Sequence, residues 1–151
     1  MRDARSTGVS GTTTISTALM TGVTLSAQCT TLTATGSISS AGAAAVYVPN
    51  STDNTLVNSG QITDSDGTGF GVSLAAGGSV NNAASVGAGG TGVYANGATA
   101  TVSNSGTISA VNEVAVALLD GGTVSNATAP RSPAAPRALP WTGLDASPIT
   151  D

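Results

Sequence analysis

The chain has 151 residues, enough for at most one ordinary domain, and only 8% of them are charged, far below the usual quarter or so. Positive mean hydropathy argues against a solvated disordered chain, and abundant Gly, Thr, Ser, Val and Asn argue against a helical bundle. Its four cations, Arg2, Arg5, Arg131 and Arg137, leave none between Ser6 and Pro130, which excludes nucleic-acid binding and a polybasic membrane anchor.

Residues 1–8 form an N-terminal arm, "MRDARSTG", with no apolar run after it, so no secretory signal is expected. The most apolar window, "ISTALMTGVTL" at 15–25, is too short and too polar to span a bilayer. Cys29 is the single thiol, which permits no intramolecular disulfide; with no His, Lys or Arg near it in sequence, it reads as a small filler.

From there the chain rewrites one phrase. "TLVNSGQITD" at 55–64, "SVNNAASVGA" at 79–88, "TVSNSGTISA" at 101–110 and "TVSNATAP" at 123–130 align on Asn58, Asn82, Asn104 and Asn126, spaced 24, 22 and 22 residues. Two residues before each Asn stands an aliphatic side chain: Leu56, Val80, Val102 and Val124. Four residues after it stand Ile62, Val86 and Ile108, while "TTLTATGSIS" at 30–39 supplies Leu32 and Ile38, with Ala34 in the Asn position. A second apolar stretch completes each period, at 45–48, 70–74, 92–95 and 114–118.

Within each copy apolar residues alternate with Thr and Ser, the period of a strand, and Gly, Asn and Ser separate the strands as turn formers. Two or three strands of three to five residues per period cannot stand as an isolated sheet, and no helix is available to cover them. If each period is one turn of a coil, successive coils stack about 4.8 Å apart and share one core. The expected fold is therefore all-β: a parallel β-helix, a single-stranded solenoid of about 22–24 residues per coil over residues 9–128. Four to five coils give a rod of roughly 20–25 Å.

Leu32, Leu56, Val80, Val102 and Val124 are then expected in one inward column, and Ile38, Ile62, Val86 and Ile108 in another. Asn58, Asn82, Asn104 and Asn126 fall at a corner, where backbone groups lack ladder partners. An Asn amide both donates and accepts, so it can serve its own corner and the Asn of the next coil. Gly60 and Gly106 are expected to supply whatever φ that corner demands.

The phrases "LVNSGQITD", "TVSNSGTIS", "GTGVYANGATATV" and "ALLDGGTVSNA", and above all "GTGFGVSLAAGGSVNNAASV" at 67–86, resemble the passenger domains of bacterial autotransporters of the pertactin-like and diffuse-adherence adhesin group. The likeness covers about two thirds of the chain. It implies a right-handed β-helix, type V secretion across an outer membrane by a C-terminal barrel, and display on the cell surface. This chain shows neither a signal sequence nor the roughly 10-residue alternating strands of a barrel, so it is expected to be a passenger fragment, a truncated reading frame or a stand-alone remnant. The implied partners are a host-cell surface or an extracellular glycan or protein. From Pro130 onward five of the six prolines and the only Trp, Trp141, mark residues 129–151 as a proline-rich tail, expected to be extended or disordered, with folding back of Trp141, Leu139 and Leu144 as a cap the lesser alternative.

Candidate chemistry is sparse. Without His there is no His-based triad or imidazole acid–base, and no metal or other cofactor is expected. Asp64 and Asp66 in "DSDGTG" resemble half a calcium loop without the further ligands, and read as a solvated turn; Asp53 and Asp120 read as turn residues. A carbohydrate-active β-helix, lyase or hydrolase, would need clustered carboxylates. An ice binder would need paired Thr columns; Thr31, Thr55, Ser79, Thr101 and Thr123 make one, but Thr33, Val57, Asn81, Ser103 and Ser125 do not make the second. Tyr47 and Tyr94 fall outward by parity, where a ring can stack on a sugar. The leading expectation is an adhesin-type or structural scaffold, not an enzyme. An uncapped solenoid end also exposes strand edges, so edge-to-edge self-association is expected.

Overall fold

A computed structural model describes residues 11–25, 29–49 and 54–127 of the chain. The arm at 1–8, the four arginines, Asp53 and the proline-rich stretch 129–151 with Trp141 lie outside the described residues, as do the side chains of 11–13 and 29–34.

The described chain winds in triplets of short strands. The first coil holds β1 (Gly11–Ile15), β2 (Ala18–Leu19) and β3 (Val23–Thr24). The second holds β4 (Cys29–Ala34), β5 (Ser37–Ser40) and β6 (Ala44–Val48). The third holds β7 (Thr55–Asn58), β8 (Gln61–Asp64) and β9 (Phe70–Leu74). The fourth holds β10 (Gly78–Asn82), β11 (Ser85–Ala88) and β12 (Val93–Ala95). The fifth holds β13 (Ala100–Asn104), β14 (Thr107–Ala110) and β15 (Val116–Leu118), and β16 (Gly122–Asn126) begins a sixth.

Corresponding strands of successive coils pair in parallel. The first sheet runs β1-β4-β7-β10-β13-β16, the second β2-β5-β8-β11-β14 and the third β3-β6-β9-β12-β15. The fold is thus an all-strand parallel β-solenoid with three faces, and each coil contributes three strands. Register follows the repeat: Leu32, Leu56, Val80, Val102 and Val124 are successive Cα partners on the first sheet. On the second sheet Ile38, Ile62, Val86 and Ile108 are partners. On the third, Val23, Val46, Val72, Val93 and Val116 line up.

Those columns converge on one core, where Ile38, Leu56, Ile62, Val80, Val86 and Val102 are fully enclosed. Each such side chain contributes about 1.5–3 kcal/mol by leaving water. The column does not stay inside to its end. Val124 holds the expected register but is 51% exposed, and Ile108 is only half-buried. Val124 lies in the last described strand, whose described neighbour on the sheet is β13 alone. Burial here is given by the next coil, and Val124 has none described above it.

Glycine enters at two kinds of corner. Gly77, Gly97 and Gly121, which lead from the third sheet into the first, have φ of 75°, 86° and 79°, a region costly for any residue with a Cβ. Gly60 and Gly106, expected to be needed for unusual φ, are not among the positive-φ glycines. They are needed for space: a Cβ on Gly60 would collide with the Gly36 carbonyl, and one on Gly106 with that of Ala84.

Candidate functional site

At the corner between the first and second sheets, the Asn residues form a continuous ladder. Asn58 Nδ2 donates to Asn82 Oδ1 at 2.8 Å, Asn82 Nδ2 to Asn104 Oδ1 at 2.7 Å, and Asn104 Nδ2 to Asn126 Oδ1 at 2.7 Å. The same amides serve the bent backbone. Asn58 Nδ2 also donates to Ser85 O and Asn82 Nδ2 to Thr107 O, each at 2.9 Å. Asn58, whose register partner below is Ala34, uses its Oδ1 to accept the Gly60 N–H at 3.1 Å. Asn58 and Asn82 are buried, where an unpaired amide group would cost about 1–3 kcal/mol. The ladder binds coil to coil and leaves these amides occupied with the protein itself.

The acidic turn differs from its reading as a solvated loop. Asp64 is 2% exposed, at the position taken by Ser40 in the coil before and by Ala88 and Ala110 in the coils after. It shares the parity of Ile62 in β8, and that parity was the signal that it points inward. Asp64 Oδ1 accepts the Asp66 N–H at 2.9 Å, while Oδ2 is buried without a hydrogen-bond partner. Burial pushes its carboxyl above the ordinary value; the Asp66 N–H and the nearby Ser40 hydroxyl oppose that, and the Asp66 charge adds to it. Asp66 is held below its ordinary value, chiefly by the Thr68 N–H and hydroxyl, at 2.9 and 2.8 Å.

The remaining described acids also tie coils together. Glu113 accepts from the Thr91 hydroxyl one coil earlier, and Asp120 from the Gly97 N–H. Asp120 is therefore more than a turn former. Asn112 Nδ2 reaches back 45 residues to Gly67 O at 2.9 Å. Among the described residues no trio of Cys, Asp or Glu side chains converges as a metal site would require, and no helix is long and apolar enough to cross a membrane.

Further register columns run along the first and third sheets. On the first sheet Thr31, Thr55, Ser79, Thr101 and Thr123 are register partners, and beside them run Thr33, Val57, Asn81, Ser103 and Ser125, a mixed column. The third sheet bears the rings. Thr24, Tyr47, Ser73 and Tyr94 occupy one column across β3, β6, β9 and β12. Tyr47 is 39% exposed, and Tyr94 stacks on Phe70 with centroids 4.6 Å apart and planes 18° off parallel. Parity exposed the two tyrosines, but the Phe70–Tyr94 pair crosses register and was not legible. Comparison with protein-family models, with curated proteins and with solved structures finds no match to this chain.

Proposed function

We propose that this chain is a segment of a surface-displayed autotransporter passenger, acting as an adhesin-type or structural scaffold without catalytic chemistry of its own. The observation that carries the reading is the Asn58–Asn82–Asn104–Asn126 ladder. Its amides are spent on the neighbouring coil, so each added coil lengthens a stiff rod by about 4.8 Å and buries the last one. Such a chain can order coil by coil from one end, which suits a passenger threaded outward through a membrane. The described acids likewise serve backbone and hydroxyl donors of the same or the preceding coil.

The test is display. The chain is joined to a secretory signal and an outer-membrane translocation barrel, and cells carrying it are treated with external protease and layered on epithelial monolayers. Surface cleavage and adherence above that of barrel-only cells are expected. Retention inside the cell would overturn the passenger reading, and turnover of a uronan by the purified chain would overturn the non-catalytic one.

A further inference from the structure

Every aromatic side chain of the described residues lies on one face of the three. Tyr47, Phe70 and Tyr94 come from β6, β9 and β12, the third-sheet strands of three successive coils. Tyr47 and Phe70 border an open cleft of about 480 Å³, within the size range of small-ligand sites. Thr21, Thr24 and Ser73 place hydroxyl-bearing side chains along it, and among the described residues no carboxylate or cation lines it. Tyr94 does not line the cleft; its ring is stacked on Phe70 from the next coil and fixes that ring's plane.

We propose that this cleft is a binding site for an uncharged oligosaccharide. A pyranose ring offers an apolar C–H face to an aromatic ring and hydroxyls at its edge, which matches rings flanked by Thr and Ser. A purely apolar ligand such as an acyl chain would bury the cleft's hydroxyls without partners, at a cost. A phosphate-bearing or uronate ligand would find no cation among the described residues of the lining, and the chain carries a net charge of −4. Tyr47 and Phe70 belong to adjacent coils, so the site follows the rod axis and suits a run of sugar units over a single one. Tyr47 and Phe70 contact the ligand, and Tyr94 is a positioning residue for Phe70. The proposal goes beyond the scaffold reading and does not depend on display.

The experiment uses the purified full chain, titrated by calorimetry and by ring-proton NMR with cellohexaose, maltohexaose and chitohexaose, with polygalacturonate as the charged comparison. Binding of at least one neutral hexasaccharide is expected, with shifts of the Tyr47 and Phe70 ring protons. Tyr47→Ala and Phe70→Ala should each weaken it roughly tenfold. Tyr94→Ala should weaken it less, Tyr94→Phe should restore it, and Thr101→Ala on the first sheet should leave it unchanged, with circular dichroism confirming the fold of each variant. Failure of all three neutral sugars to bind would overturn the proposal. So would binding that both ring variants leave intact, or polygalacturonate binding as tightly as the neutral sugars.

Discussion

Val80 and Val124 occupy the same position of the same phrase on the same sheet, yet Val80 is fully enclosed and Val124 is half in water. Asn82 and Asn126 differ in the same way, the first buried and the second exposed. What separates them is place in the stack: β10 lies between β7 and β13, whereas β16 pairs with β13 alone among the described strands. In a globular core a residue is buried by elements from many directions. In a solenoid it is buried by its own copies, so one phrase is core in one coil and surface in another.

The comparison can be broken most directly through aliphatic truncation. Ile62→Ala, in an enclosed mid-stack position, should cost about 2–4 kcal/mol in denaturant unfolding. Val124→Ala should cost less than about 0.5 kcal/mol. Equal losses would mean that position in the stack does not govern burial energy.

The amide ladder gives the next largest contrast. Asn82→Ala removes the acceptor of Asn58 and the donor to Asn104 and Thr107, and should cost about 1–3 kcal/mol. Hydrogen exchange at the Ser105 and Thr107 amides, next to that corner, should quicken with it. Asn126→Ala, exposed in the last described strand, should change stability by only a few tenths of a kcal/mol.

Asp64 sharpens the contrast by pH. Its folded-state value is raised by burial, so folding favours the protonated acid. That stabilisation is fully present below the ordinary carboxylate value of 3.8 and is lost as pH rises through the raised folded value. Thermal midpoints should therefore climb on acidification through that window. Asp66, lowered by Thr68, runs the other way, losing its contribution as pH falls through its depressed value, but it lies at the surface, where such a contribution is small. Asp64→Asn keeps an oxygen for the Asp66 N–H, so it should raise the midpoint at neutral pH and flatten the climb. Calorimetric scans of both proteins across the acid range check it.

The smallest effect is expected on the outside. Thr101→Ala, exposed in the hydroxyl column of the first sheet, should shift stability by no more than about 0.5 kcal/mol in the same unfolding assay.

Much of the fold was legible because a solenoid writes its tertiary contacts into sequence spacing. The 22- and 24-residue intervals between Asn58, Asn82, Asn104 and Asn126 are the ladder distances read along the chain. The third face was harder, since its loops vary in length and its columns lack a marker such as Asn. At Asp64 two signals compete: the Gly-rich neighbourhood points to a solvated turn, while parity with Ile62 points inward, and the structure follows parity. The role of Gly60 is not legible in sequence, because φ and crowding select the same residue and only the fold separates them.

By itself the sequence determined the coil: alternation set strands, Gly and Asn set corners, and recurrence at one period set which residues stand over which, since like residues stack best on their own copies. Tertiary structure decided what recurrence cannot encode. It decided which copies are enclosed and which end in water, and that a carboxylate sits inside the second sheet's corner. It also decided that Phe70 and Tyr94 meet across coils out of register. Those depend on how many neighbours a coil has and how the backbone bends between strands, and neither quantity is local to any phrase.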